Sequence, residues 1–130
     1  MIPSDERGGR AGVKHDQGKP RMDLIPPELL TEVAKILTFG ADKYDDRNWE
    51  KGMEWGRVYA ALQRHLWAWW NKEDKDEETG ESHLAHAACC ISFLIAYEKR
   101  QVGEDTRYEQ VKQNTIREFG TDWPFNCPRY

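Results

Sequence analysis

The chain has 130 residues, of which 38% are hydrophobic and 32% charged, and its net charge is −4. That length fits one domain, and the acidic balance speaks against duplex nucleic acid as a partner. Three cysteines, with Cys89 and Cys90 adjacent, argue against a disulfide framework. Met1 to Arg10 lacks the apolar core of a signal peptide, and the longest apolar run, Ala87 to Tyr97, is too short to span a bilayer. The expected location is cytoplasmic, with no membrane partner. Six Trp, five Tyr and four Phe are more rings than one small core readily takes, which predicts a homo-oligomer, a dimer or tetramer.

Residues 1–18 carry Gly8, Gly9, Gly12 and Gly18 among charges, including Arg7, Arg10 and Lys14, and read as a flexible basic arm. Gly18-Lys19 lacks the rest of a phosphate-loop motif, so Lys19 and Arg21 remain only as cations on an adaptable segment. Pro26-Pro27-Glu28 starts a helix that runs to about Tyr44, with Leu29, Val33, Ile36 and Leu37 at helical spacing. Glu28 and Glu32 share one face of it, a spacing that can hold a divalent ion or simply meet solvent. Asp45 to Gly52 is a loop. Its Trp49 is either a packing anchor or a platform for a base.

A second helix is expected over about Glu54–Lys72, with Leu62, Leu66, Trp69 and His65 in one stripe. The acidic stretch Lys72–Glu81 fails as an EF-hand, because its sixth position is Thr79 and its twelfth Ala85. Thr79-Gly80 supplies a turn, and Ser82 caps a third helix over about Ser82–Gln101. That helix is nearly apolar all round and is expected to be central and buried. The short connection makes it antiparallel to the second helix. With the pivot near Glu77, His65, His86 and Cys90 converge, and His83 lies a turn away near Glu73. Gly103 ends this helix, a shorter one is expected over Asp105–Phe119, and Thr121–Tyr130 reads as an extended tail.

The fold class is therefore all-α, an antiparallel bundle of three to four helices with extended arms at both ends. Its inward histidines suit a metal site between helices. The surrounding cations Lys19, Arg21, Lys43, Arg57 and Arg64 point to a polyphosphate ligand. Cysteine nucleophilic catalysis is disfavoured, since Cys89 and Cys90 sit inside a buried helix.

Five stretches together carry a family resemblance. They are Gly18-Lys19-Pro20-Arg21-Met22-Asp23-Leu24-Ile25-Pro26-Pro27-Glu28, Leu37-Thr38-Phe39-Gly40-Ala41-Asp42-Lys43-Tyr44, Arg47-Asn48-Trp49-Glu50-Lys51-Gly52, Arg64-His65-Leu66-Trp67-Ala68-Trp69-Trp70 and His83-Leu84-Ala85-His86-Ala87. Over about Val13 to Glu98 the chain resembles the phage-borne N-terminal domain of dATP/dGTP diphosphohydrolase, and more distantly the all-α MazG-like nucleotide pyrophosphohydrolases. The resemblance implies hydrolysis of a nucleoside triphosphate, a deoxypurine one, to monophosphate and pyrophosphate in the host cytoplasm. It implies 19–102 as the nucleotide- and metal-binding body, with 103–130 packed on it.

In that reading His65, His83 and His86 hold a divalent metal (Mg, Mn or Zn), and Glu32, Glu73 and Asp74 are the candidate catalytic carboxylates. Lys19, Arg21, Lys43 and Arg64 bind phosphates, with Tyr44, Asn48 and Trp49 beside them. The MazG-like enzymes place an E-x-x-E pair on one helix and an E-x-x-D pair on the next. This chain instead has His83-Leu84-Ala85-His86 at the second position and no E-x-x-E on the preceding helix. Histidine suits Mn, Zn, Ni or Fe better than Mg. The alternatives are a nucleotide-binding protein without turnover, and a small helical interaction module with a structural metal or core histidines.

Overall fold

The computed structural model describes residues 11–108. Three helices carry the fold: α1 over Pro27–Lys43, α2 over Trp55–Trp70 and α3 over His83–Arg100. Single 3-10 turns precede α1 at Met22–Leu24 and α2 at Asn48–Lys51. Among the described residues there is no strand, only two isolated bridges, Glu54 to Glu104 and Lys75 to Ser82. The all-α class and the three main helices agree with the sequence periodicity. Among the described residues no helix is long and apolar enough to cross a membrane.

The helix ends follow local chemistry. Pro27 opens α1, where a missing N–H costs nothing. Glu28 in its first turn and Lys43 in its last suit the helix dipole. Ser82 caps α3, its Oγ accepting from the Leu84 N–H at 3.1 Å. Lys99 and Arg100 occupy the last turn of α3, before Gln101 takes a left-handed conformation.

α3 lies at the centre and packs on both α2 and α1. The core is Trp55, Val58 and Tyr97, flanked by Trp49, Met53, Phe93, Leu94 and Val102. Trp49 stacks on Phe93 at 4.5 Å between centroids, and the Tyr97 hydroxyl donates to the Trp49 carbonyl at 2.6 Å. Trp49 is therefore a packing anchor in this structure. α3 is not buried on every side as its composition predicts. Its inward residues Ala85, Ala87, Cys89 and Tyr97 are buried, while Leu84, Ile91 and Ile95 are 42%, 45% and 49% exposed.

After α3 the chain returns to the start of α2. Gly103 makes this possible: its φ is +81°, and a Cβ there would stand 2.3 Å from the Met53 carbonyl oxygen. The first amides of α2 lack partners within their helix. Here the Trp55 N–H donates to the Glu104 carbonyl at 2.9 Å, and the Gly56 N–H donates to Thr106 Oγ1 at 2.8 Å. The Trp55 indole N–H donates to the Val102 carbonyl at 2.9 Å. Residues 105–108 thus form a strap and not the start of a helix as the sequence predicts. The Glu104 carbonyl and the Thr106 hydroxyl are instead engaged in capping α2. The remainder of that expected helix and the extended tail lie outside the described residues.

Two substitutions test this packing. Tyr97→Phe removes one hydrogen bond and is expected to cost about 1 kcal/mol. Gly103→Ala combines backbone strain with a clash and is expected to cost at least about 2 kcal/mol. Urea denaturation that ranks them in the opposite order would contradict the strap as described.

Candidate metal centre

The site is built by the connection between α2 and α3. Lys72 takes a positive φ of 71°, and the Glu73 N–H donates back to the Ala68 carbonyl at 2.9 Å. The chain then makes a closed excursion. The Asp76 N–H donates to the Glu81 carbonyl at 2.8 Å, and the Gly80 N–H donates to the Asp76 carbonyl at 2.8 Å. Asp76 organises it: Oδ1 accepts from the Glu78 N–H at 3.0 Å and from the Thr79 N–H at 3.0 Å. A short carboxylate gathering amides two and three residues on is the usual way such a turn is locked. The His83 N–H then donates to the Asp74 carbonyl at 3.1 Å, which sets α3 against the end of α2.

Three imidazoles meet there. His65 Nδ1 and His83 Nδ1 are 2.9 Å apart. His65 also stacks on His86, with centroids 4.5 Å apart and planes 12° from parallel. His83 is buried, and its Nε2 lies 2.7 Å from Glu73 Oε2. An ionised carboxylate only accepts, so Nε2 carries the proton and donates. In neutral His83 the Nδ1 lone pair then faces His65. His86 Nε2 is 2.7 Å from Thr79 Oγ1 and 3.8 Å from Asp76 Oδ1.

His65, His83 and Asp76 each offer a donor atom, and these lie within 4.8 Å of one another. Nitrogen and carboxylate oxygen are ordinary ligands of Mn and Zn. A histidine that gives its other N–H to a carboxylate is the common outer arrangement of a metal ligand. The donor chemistry fits a divalent ion.

The electrostatics keep the donors available. Burial, reinforced by His86 and His83, pushes His65 down to about 4. Burial also lowers His86, against the pull of Asp76. Both rings are neutral near pH 7, as a metal ligand must be. Burial works to raise the Asp76 carboxyl. The amide of Thr79, His86 and the Thr79 hydroxyl outweigh it, so Asp76 lies below the usual carboxylate range and is ionised.

The other residues singled out from sequence lie in several places. Glu73 joins the centre through His83, whereas Asp74 contributes its backbone carbonyl and keeps its side chain exposed. Glu32 pairs with Lys35 at 2.9 Å on α1, and Lys35 also reaches Glu81 at 3.9 Å, tying α1 to the loop. Lys43 pairs with Glu78, and the Lys43 ammonium stands 5.4 Å from the Tyr44 ring. Arg21 is held by Asp23 at 2.7 Å, and Lys19 lies exposed in the segment before α1. Asn48 opens the 3-10 turn that carries Trp49. Arg64 is exposed next to His65. Cys90 is not among the clustered donors. The register brings His83 to His65 and places Cys90 further along α3, against the convergence expected from a pivot at Glu77. Asp76 was not expected. Its signal was the Asp-x-x-Thr-Gly turn inside the acidic run.

Fold and site together define an all-α protein with an imidazole–carboxylate centre at a helical hairpin. The chain belongs to the family described as dATP/dGTP diphosphohydrolase, N-terminal, whose model matches residues 9–107. It is similar to a protein of Salmonella phage PMBT28 named dATP/dGTP diphosphohydrolase, at 34% identity over 114 residues, or 87% of this chain. The chain spans 39% of that relative's length. No solved structure matches.

The depressed histidine has a consequence for stability. An unfolded His titrates near 6.5, whereas folded His65 does so at about 4. Between those values the unfolded chain binds more protons, so stability falls as pH is lowered through this window. Above pH 6.5 the term vanishes. With solvent screening discounted, the loss is on the order of 1–2 kcal/mol. Thermal melts with a chelator present should show it in the wild type and a shallower slope in His65→Gln. Equal slopes would contradict the assignment.

Proposed function

We propose that this chain carries out metal-dependent hydrolysis of a deoxypurine nucleoside triphosphate to its monophosphate and pyrophosphate. The observation that carries this reading is the cluster of His65, His83 and Asp76 donors within 4.8 Å, in a chain of a family described as dATP/dGTP diphosphohydrolase. The name of the phage relative supports the same substrate class.

His65, His83 and Asp76 would hold the ion, with His86 alongside. When bound, a divalent ion supplies charge neutralisation and Lewis-acid polarisation at phosphate oxygens. The chain supplies the rest. Glu73 fixes the proton of His83 on Nε2 and so aims Nδ1 inward. Thr79 holds Asp76 ionised and in place. The second oxygen of Glu73, with its side chain 53% exposed, is the best-placed carboxylate to accept a proton from the attacking water. Arg64 offers its charge to phosphate from beside His65. Lys43 and Arg21 would exchange Glu78 and Asp23 for phosphate, and Lys19 would join them from the arm.

The reading includes a homo-oligomer. Trp67 and Trp70 on α2 are 63% and 73% exposed, and Leu84, Ile91 and Ile95 form an outward stripe on α3. Such surface is more than scattered apolar residues require.

A second reading, nucleotide binding without turnover, draws on one observation. Only one carboxylate stands among the three clustered donors, whereas magnesium-dependent phosphate chemistry favours oxygen ligands.

Release of pyrophosphate and monophosphate from each dNTP, with Mg²⁺ and with Mn²⁺, separates the two. Turnover with dATP or dGTP is expected, and His83→Ala should lower it at least about 100-fold and remove bound metal. Glu73→Gln should weaken metal binding by about 10–100-fold. Unchanged metal content and turnover in His83→Ala would sink the assignment. Nucleotide binding with no product would favour the second reading.

A further inference from the structure

A cavity of about 330 Å³ opens between α2 and α3, its lining reaching Arg64, the residue before His65, and Cys90, one turn along α3 from His86. Its apolar lining is Met53, Val58, Ala60, Ala61, Cys90 and Phe93, with Arg57 and Arg64 on the α2 side. On α3 the same stripe that carries His83 and His86 continues to Cys90 and Phe93, so the cavity lies along the groove from the metal centre. On α2, Arg64 immediately precedes His65, and its charge acts on both His65 and Cys90.

The composition of this groove is selective. Ala60 and Ala61 leave open the space between the two arginines, where larger side chains would fill it. Burial raises the Cys90 thiol, so it stays neutral and behaves as a small apolar wall. Neither Arg57 nor Arg64 has an acidic partner among the described residues, whereas Arg21, Lys35, Lys43 and Arg100 do. The two arginines stand seven positions apart along α2, a rise of about 10 Å. That spacing puts them at different parts of one nucleotide. Arg64, beside the metal centre, is placed for phosphate. Arg57, at the far end, is placed for whatever the apolar walls hold.

We propose that this groove seats the purine base of the nucleotide, and that Arg57 donates to the base edge and favours guanine over adenine. This rests on the nucleotide reading above and deepens it. The volume is of small-molecule size, and flat apolar and aromatic walls with a few polar groups are what such sites present. Arginine is a donor only. Guanine offers two adjacent acceptors, O6 and N7, to a guanidinium fork. Adenine offers N7 but sets a donating amino group beside it. The Arg57 fork is therefore doubly matched by guanine and singly by adenine.

The test uses the full chain with Mn²⁺ and the α,β-imido analogues of dGTP and dATP, with affinities read by calorimetry. Arg57→Met keeps the length and removes the donors. It should lower the dGTP-to-dATP analogue affinity ratio at least about fivefold, because a matched bidentate contact is lost. Ala61→Leu fills the cavity and should weaken both analogues at least about tenfold. Should Ala61→Leu fail to fold, the ratio in Arg57→Met decides, since Arg57 is exposed and outside the core. If the wild type binds the analogues and Arg57→Met leaves the ratio unchanged, the base site is wrong and the hydrolase reading stands. If the wild type binds neither analogue, both are overturned.

Discussion

Two imidazole nitrogens at 2.9 Å, in a region largely closed to water, are the constraint around which this protein is arranged. Two protonated imidazoles would repel there, and burial makes charge costly. The structure answers by keeping His65 neutral, pushed down to about 4 by burial and its neighbouring rings, while Glu73 takes the outer N–H of His83. This works only if the α2–α3 connection holds its shape. The Asp76–Thr79 turn supplies that shape, and α1 supports it from outside through Lys35 and Lys43. The helices carry the imidazoles, and the acidic loop sets Asp76 and Glu73 against them.

The helices were legible because their signals are local. Pro27 starts one, Ser82 caps another, and apolar spacing marks their lengths. The three histidines were legible as a group, because a hairpin of two helices brings back any residues near its turn. What failed was the register. Counting from Glu77 treats residues 73–82 as a simple bend. In fact the chain doubles back as soon as α2 ends, the Glu73 N–H on the Ala68 carbonyl, and the Asp74 carbonyl then takes the His83 N–H. α3 therefore begins at the level of His65, which meets His83 directly, and Cys90 falls past the site. Asp76 went unseen for the same reason. Among six acidic residues in one loop, only hydrogen bonding distinguishes the one that turns inward.

The strap over residues 105–108 shows a different limit. Its composition resembles the start of a helix, but the Thr106 hydroxyl, with the Glu104 carbonyl just before it, serves the first turn of α2 instead. Such a contact joins residues some fifty positions apart, and no window of sequence reveals it. Trp49 illustrates the same point on a smaller scale. A loop tryptophan looks available to a ligand until Phe93 is found stacked on it. The groove beside the cluster keeps Phe93 as a wall, so core packing and the proposed base site share a residue.

The central claim is that the imidazole–carboxylate cluster is a metal centre. X-ray absorption at the metal edge of the Mn- or Zn-loaded chain tests it most directly. The account predicts a shell of nitrogen and oxygen ligands with the outer-shell scattering of two or more imidazoles, diminished by one ring in His65→Ala. A shell of oxygen alone, or one unaltered in that variant, would place the metal elsewhere and leave the histidines as hydrogen-bonded core.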